Sequence, residues 1–175
     1  MKVLLAVLAI SIFGAAPAAA DTYVVGDSLT AQTYESGGWY VDAVPGAPLR
    51  SSHRRVRRAV SQAPDALVVA LGSNDVSYRS NKMESDIAVV MSHGVSCTII
   101  TTVKVNGVTP FYGLRWREYA RRWNQAVRNS GALVADWNQI SKNSQGWFLA
   151  DGLHLTPAGE RAYDQMLRAT ANNCP

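Results

Sequence analysis

Histidine and cysteine are scarce in this sequence. It has three histidines and two cysteines, and none of them shows His-x-x-x-His or Cys-x-x-Cys spacing. Because zinc sites are built from such clusters, the sequence indicates no metal site. The glycines at Gly37-Gly38 lack the Gly-x-x-x-x-Gly-Lys-Ser/Thr or Gly-x-Gly-x-x-Gly spacing of a phosphate-binding loop. We therefore expect neither a metal nor another cofactor.

Long apolar segments are also missing after residue 20. The first twenty residues combine a charged start at Lys2, an apolar run over Val3–Phe13 and a small-residue stretch ending at Ala20. A membrane span needs about 20 apolar residues, and this run is shorter. The pattern is typical of a secretory signal peptide over residues 1–20. We expect residues 21–175 to form one exported domain without a transmembrane segment, located in the cell envelope, the periplasm or outside the cell.

Charge of one sign is not strongly in excess. Lysine and arginine number 17 against 13 acidic residues, for a formal net charge of +4. Part of the excess lies in one run on a predicted helix, formed by Arg54, Arg55, Arg57 and Arg58. Such a run can contact anionic envelope polymers or lipid headgroups, or it can be an ordinary solvated helix face. An exported chain of this charge does not indicate a nucleic-acid partner.

Strand and helix patterns alternate along the chain. Short apolar or β-branched runs predict strands over residues 22–25, 39–44, 66–71, 97–103 and 132–137. Helical spacing predicts helices over residues 49–63, 81–92, 114–129 and 157–169. The connections are too long for hairpins, so we expect a parallel sheet covered by helices on both faces.

The two cysteines both fall after residue 20. In an oxidising compartment, the even count favours a disulfide between Cys97 and Cys174. Such a bond would tie the C-terminal tail to a central strand. The alternative is a buried thiol at Cys97 and a separate thiol in a frayed tail.

Polar residues follow several of the predicted strands. In parallel sheets, ligands bind beyond the carboxyl ends of the strands, and Ser28, Gly46, Asn74 and the segment 151–154 all fall at that edge. A serine nucleophile needs a base to take its proton and a third group to orient the base. Ser28, His154 and Asp151 can supply these three roles. His53 and His93 are poorer bases, because one lies in the arginine run and the other at a helix end.

Donors for a developing oxyanion can come from the same edge. The backbone N–H of Ser28 would point at the oxyanion from a strand-to-helix turn, and Gly46 lets a carbonyl approach the main chain closely. Asn74 can add its side-chain amide. The predicted oxyanion hole is therefore Ser28, Gly46 and Asn74.

Four blocks of the sequence resemble those of the SGNH (GDSL-type) hydrolases. They are Gly26-Asp27-Ser28-Leu29, Gly46, Gly72-Ser73-Asn74-Asp75 and Asp151-Gly152-Leu153-His154. The second block departs most from the family pattern, because prolines flank its glycine at positions 45 and 48. The resemblance implies a flavodoxin-like three-layer α/β/α sandwich with a parallel five-stranded sheet. It also implies that Ser28 is the nucleophile, His154 the base and Asp151 its partner.

A small domain without an evident lid favours short acyl groups. We expect a secreted serine esterase, with O-acetyl groups on cell-envelope glycans as the leading substrate. Four aromatic residues near the predicted cleft can stack on a sugar or serve ordinary packing: Tyr34, Trp39, Tyr78 and Tyr112. Two alternatives remain, an acyltransferase that uses the same acyl-enzyme with a glycan acceptor, and a non-catalytic envelope-binding module.

Overall fold

A five-stranded parallel sheet forms the centre of the molecule. The computed structural model describes residues 21–33, 37–109 and 115–175. In these segments the strands are β1 (Thr22–Gly26), β2 (Tyr40–Ala43), β3 (Ala66–Ala70), β4 (Cys97–Thr101) and β5 (Leu133–Ala135). Their order across the sheet is β2-β1-β3-β4-β5, and every neighbouring pair is parallel. This is the order of flavodoxin-like folds.

The central strands are apolar because helices cover both faces of the sheet. Every residue of β3 and of β4 is buried. Their sequences, Ala-Leu-Val-Val-Ala and Cys-Thr-Ile-Ile-Thr, show no alternation of polar and apolar residues, as expected for strands without a solvated face.

Helices pack in one layer on each side of the sheet. The described helices are α1 (Ser28–Thr33), α2 (Leu49–Val60), α3 (Ser73–Ser77), α4 (Met83–Met91), α5 (Trp116–Asn129), α6 (Trp137–Ser141) and α7 (Pro157–Ala171). One layer contains α2, α4 and α5, which contact one another in sequence order. The other contains α1 and α7, which pack together. The expected α/β/α sandwich is confirmed.

Several element boundaries differ from the sequence predictions. The last strand, expected over 132–137, ends at Ala135 because Asp136 caps a helix by accepting the amide of Gln139. The first predicted helix ends at Val60, before Ala63 takes a positive φ of 51°. The short helices α1, α3 and α6 were not predicted as separate elements, since five or six residues are too few to display a helical period.

A disulfide joins Cys97 to Cys174, with 5.6 Å between their Cα atoms. The predicted pairing is therefore confirmed, and it ties the C-terminal tail to the first residue of β4.

No helix in the described segments is long and apolar enough to span a membrane. Residues 1–20, where the signal peptide is predicted, lie outside the described residues.

Candidate active site

Ser28 is the first residue of α1 and lies directly beyond the carboxyl end of β1. Its Oγ is 3.2 Å from Nε2 of His154, a residue 126 positions later in the chain. The turn between the strand and the helix needs glycine at position 26, because a Cβ there would lie 2.2 Å from Oγ1 of Thr30. The sharp turn presents the Ser28 hydroxyl to the cleft.

Asp151 orients His154. Its Oδ2 lies 2.6 Å from Nδ1 of His154, and its Oδ1 accepts the backbone amides of Leu153 at 2.9 Å and His154 at 3.0 Å. Since an ionised carboxylate only accepts hydrogen bonds, Nδ1 of the imidazole is the donor in this pair. The lone pair of a neutral imidazole is then on Nε2, facing Ser28. Gly152 makes this tight loop possible, since it holds a φ of +72°.

Asn74 and Gly46 lie on the same cleft as Ser28. Asn74 is the second residue of α3, and its Nδ2 donates to Oδ2 of Asp27 at 3.3 Å and to the carbonyl of Ala47 at 3.4 Å. Gly46 has a φ of +77°, which favours glycine. The structure therefore brings together all the residues predicted for the site.

The cleft around Ser28 has a volume of about 480 Å³. It is lined by Ser28, Pro45, Gly46, Ser73, Asn74, Ser77, Tyr78, Leu153 and His154. Tyr78 is 64% exposed, and its hydroxyl lies 3.5 Å from the carbonyl oxygen of Gly46. Trp39 instead lies under the guanidinium of Arg168, 4.7 Å away. Tyr34 and Tyr112 lie outside the described residues.

Two buried carboxyl groups lie behind the cleft. Burial raises the pKa of Asp27 to about 7, and the charge of Asp75 adds to this effect while a hydrogen bond from the Leu29 amide opposes it. Burial likewise raises the pKa of Asp75 to about 6, against the hydrogen bond from the Leu49 amide. Sequence reasoning assigned no role to either residue. The sequence could have indicated them, because Asp27 precedes Ser28 and Asp75 follows Asn74 in the motif blocks.

Lys104 is a further residue that the sequence reasoning missed. It is only 8% exposed, and its Nζ donates to the carbonyl of Gly152 at 3.1 Å. Burial lowers the pKa of Lys104, and the charge of Asp151 partly offsets this. A lysine between Val103 and Val105, directly after an apolar strand, was the signal in the sequence.

The remaining candidate residues lie away from the cleft. Nε2 of His53 is 3.1 Å from Oδ1 of Asp86. In the arginine run, Arg54, Arg57 and Arg58 are exposed, but Arg55 turns inward and donates to the carbonyl of Asp42 at 2.7 Å. Within the described segments, no group of three or more His, Cys, Asp or Glu side chains is arranged to hold a metal ion.

Known structures share this fold. The C-terminal catalytic domain of peptidoglycan O-acetyltransferase A (OatA) from Streptococcus pneumoniae, solved with a methylsulfonyl adduct, aligns with a TM-score of 0.72 and 17% identity, covering 89% of this chain and 94% of that one. The psychrotrophic esterase EstA from Pseudoalteromonas sp. aligns with a TM-score of 0.61 and 16% identity, covering 87% of this chain and 97% of that one. At these identities the likeness shows the fold alone.

Sequence comparison shows the family. No curated protein matches this chain significantly. The model of the GDSL-like lipase/acylhydrolase family matches residues 24–162, which include every residue predicted for the site and most of the described chain. The chain therefore belongs to the GDSL-like lipase/acylhydrolase family and is an ester hydrolase of the SGNH type.

Proposed function

We propose that this protein is a secreted serine esterase that removes short acyl groups, with O-acetyl groups on cell-envelope glycans as its substrate class. The observation that carries the catalytic part is the series of contacts from Ser28 Oγ through His154 to Asp151, at 3.2 and 2.6 Å. The predicted signal peptide over residues 1–20 and the disulfide between Cys97 and Cys174 support export, because disulfides persist in oxidising compartments.

The proposed reaction proceeds in two halves. Ser28 Oγ attacks the ester carbonyl and passes its proton to Nε2 of His154, which then donates it to the departing alcohol. Asp151 keeps the Nδ1 proton in place and stabilises the imidazolium. Water, deprotonated by His154, next attacks the acyl-enzyme and releases the acid. This step regenerates the free hydroxyl of Ser28.

The oxyanion of each tetrahedral intermediate needs donors in the same cleft. In our proposal they are the backbone N–H of Ser28, the backbone N–H of Gly46 and the side-chain amide of Asn74. One such donor typically contributes about 3 to 4 kcal/mol to transition-state stabilisation. Gly46 is suited to this role by its positive φ and its place on the cleft wall, although prolines at 45 and 48 remove the neighbouring donors.

The short-acyl preference is supported by the form of the cleft. Its lining is formed largely by small and polar residues, with the exposed ring of Tyr78 at its edge. Aromatic rings of this kind pack against sugar faces. Tyr78 is therefore the residue that we assign to the glycan. Trp39 is a weaker candidate because the Arg168 guanidinium already lies on its ring.

A panel of aryl esters from acetyl to long acyl chains, together with O-acetylated glycans, tests the proposal. We expect the acetyl ester and the glycans to be deacetylated by the wild type and not by Ser28→Ala. Rates that rise with acyl length would contradict the substrate class. Equal rates for the wild type and Ser28→Ala would contradict the serine mechanism.

The assignment of Tyr78 to the glycan has its own test. Tyr78→Ala should raise KM for the glycan and leave KM for the aryl acetate unchanged. Tyr119→Ala, outside the cleft, is its control.

An acyltransferase is the second candidate. The fold shared with the catalytic domain of peptidoglycan O-acetyltransferase A favours it, since an acyl-serine can pass its acyl group to a sugar hydroxyl as well as to water. Product analysis with and without an acceptor glycan separates the two. A rise in acylated glycan at the expense of free acetate would identify transfer. The third alternative, a non-catalytic envelope-binding module, is not favoured, because the chain belongs to an ester-hydrolase family.

The basic face of α2 is the proposed contact for anionic envelope polymers. Of the four arginines in the run, Arg54, Arg57 and Arg58 are exposed, so they and not Arg55 would make it. The variant Arg54→Gln/Arg57→Gln should weaken retention on an immobilised polyanion and reduce its dependence on salt. Arg117→Gln/Arg121→Gln, which removes two exposed arginines from α5, is the matched control. Equal retention of both variants would indicate an ordinary solvated face.

A further inference from the structure

Side-chain hydrogen bonds hold the backbone on both sides of Lys104. It lies three residues beyond β4, and side chains from α5 and α6 bind the backbone around it. Asn124 accepts the amide of Val103 at 2.7 Å, Asn138 accepts the amide of Val105 at 3.0 Å, and Trp116 Nε1 donates to the carbonyl of Lys104 at 2.8 Å. The base of the lysine side chain therefore has a fixed position.

The ammonium of Lys104 contacts one loop at two points. It lies 3.4 Å from the centroid of the Phe148 ring and donates to the carbonyl of Gly152 at 3.1 Å. These residues belong to a loop that we call the 148–155 loop, closed by a bridge between Phe148 and Leu155 and by the Leu149 amide bonding the His154 carbonyl at 2.8 Å. The same loop contains Asp151 and His154.

The middle of this loop also packs against the backbone of residues 107–109. Gly152 approaches the backbone so closely that a Cβ there would lie 1.8 Å from the carbonyl oxygen of Gly107. The amide of Thr109 donates to the carbonyl of Asp151 at 3.0 Å. Lys104 adds a charged contact, which connects the segment after β4 to the turn between Asp151 and His154. Its charge also acts on the Asp151 carboxylate.

Burying an ammonium group is unfavourable. A cation loses its hydration when it leaves water, and apolar side chains of similar volume often replace buried charges without loss of stability. Stability therefore does not explain a lysine here. Its contacts explain it better, because the cation–π contact and the charge-assisted hydrogen bond both depend on the ammonium.

We propose that Lys104 is a positioning residue, whose ammonium holds the 148–155 loop so that Asp151 and His154 face Ser28. Lys104 does not line the cleft around Ser28. The inference rests on the proposed roles of Ser28, His154 and Asp151 in the reaction. Its structural half, the restraint of the loop, can be measured without any activity.

The variant Lys104→Met keeps the length of the side chain and removes the charge and the donor. Small displacements of a catalytic base reduce turnover strongly, so we expect kcat for an aryl acetate to fall about 10- to 100-fold with KM nearly unchanged. Lys104→Arg, which keeps both cation and donor, should recover part of kcat. Lys142→Met, which removes an exposed lysine at the end of α6, is the control.

Amide hydrogen exchange provides the readout that is independent of catalysis. In Lys104→Met, the amides of residues 148–155 should exchange at least tenfold faster, while those of β3 and α5 stay unchanged. If this variant does not fold, Lys104→Gln, which keeps a neutral donor, takes its place. Unchanged exchange in the loop, or unchanged kcat, would overturn the proposal. Absence of Ser28-dependent activity in the wild type would overturn the proposed function instead, and the exchange result would still decide the role of Lys104 in the loop.

Discussion

Asn74 and Asp27 are joined across the site by a hydrogen bond of 3.3 Å from Nδ2 to Oδ2. Asp27 directly precedes Ser28, and its Oδ1 accepts the amide of Leu29 at 3.0 Å. One buried carboxylate therefore links the turn that holds the nucleophile to the helix that carries the proposed oxyanion donor. Two tests of the site follow from this contact.

The first concerns the donor itself. Asn74→Ala should lower kcat for an aryl acetate by about 100- to 1,000-fold, since the amide acts where negative charge develops in the transition state. KM should change little. Ser77→Ala, which alters another residue of the same cleft, is the control and should retain nearly full kcat. Comparable losses in both variants would point to general damage of the cleft.

The second concerns the protonation of Asp27, whose pKa of about 7 follows from its burial. Above that pH the carboxylate accepts from both Leu29 and Asn74, whereas protonation removes one acceptor. Because the deprotonated carboxylate holds both contacts, log kcat should rise more steeply with pH up to about 7 when Asp27 titrates. In Asp27→Asn the slope should therefore be smaller than in the wild type. The same slope in both proteins would show that Asp27 does not govern the site. The measurement is kcat between pH 5 and 8.

Asp151 should be necessary because it fixes the tautomer of His154. In Asp151→Asn the amide can donate to Nδ1, which turns the Nε2 lone pair into an N–H facing Ser28. We expect kcat to fall by about 10³- to 10⁴-fold. Combining this change with Ser28→Ala should add no further loss, because the residues act as one unit. Asp164→Asn, in α7 and paired with Arg168, is the control. Additive losses would contradict a shared mechanism.

Asp75 should make stability depend on pH. Its folded pKa of about 6 lies above the ordinary value of 3.8, so the folded state binds the proton more tightly than the unfolded state. The stabilisation is complete below 3.8 and is lost as pH rises through about 6. Asp75→Asn should therefore gain about 1 kcal/mol in unfolding free energy relative to the wild type between pH 5 and pH 8. Urea unfolding measures this. The exposed Asp65→Asn should show no such gain.

The disulfide should contribute to stability by closing a long loop. Cys97 and Cys174 are 77 residues apart, and restricting so long a segment of the unfolded chain corresponds to about 4 kcal/mol. Cys97→Ala/Cys174→Ala should lower the unfolding free energy by up to this amount in denaturant titrations. Wild-type protein in reducing agent should behave in the same way. A difference in unfolding free energy below about 1 kcal/mol would show that the disulfide contributes little to stability.

The polarity pattern along the chain was sufficient to predict the architecture. The continuously apolar run of β3 identified a buried parallel strand, because a strand covered on both faces does not alternate polar and apolar residues. The strand ends in turn predicted where Ser28, Asn74 and His154 meet. Short elements such as α3 were not predictable, since five residues do not complete two helical turns.

The sequence by itself determined the fold class, the family and the residue types available for an acyl-transfer site. Those properties depend on the local pattern of polar and apolar residues and on short motifs, and both can be recognised in the sequence alone. Only the tertiary structure decided that Arg55 turns inward, that Asp27 binds Asn74 and that Lys104 supports the 148–155 loop. Each of these contacts joins residues distant in sequence, and burial gives the charges their shifted properties. Neither feature leaves a periodic signal in the sequence.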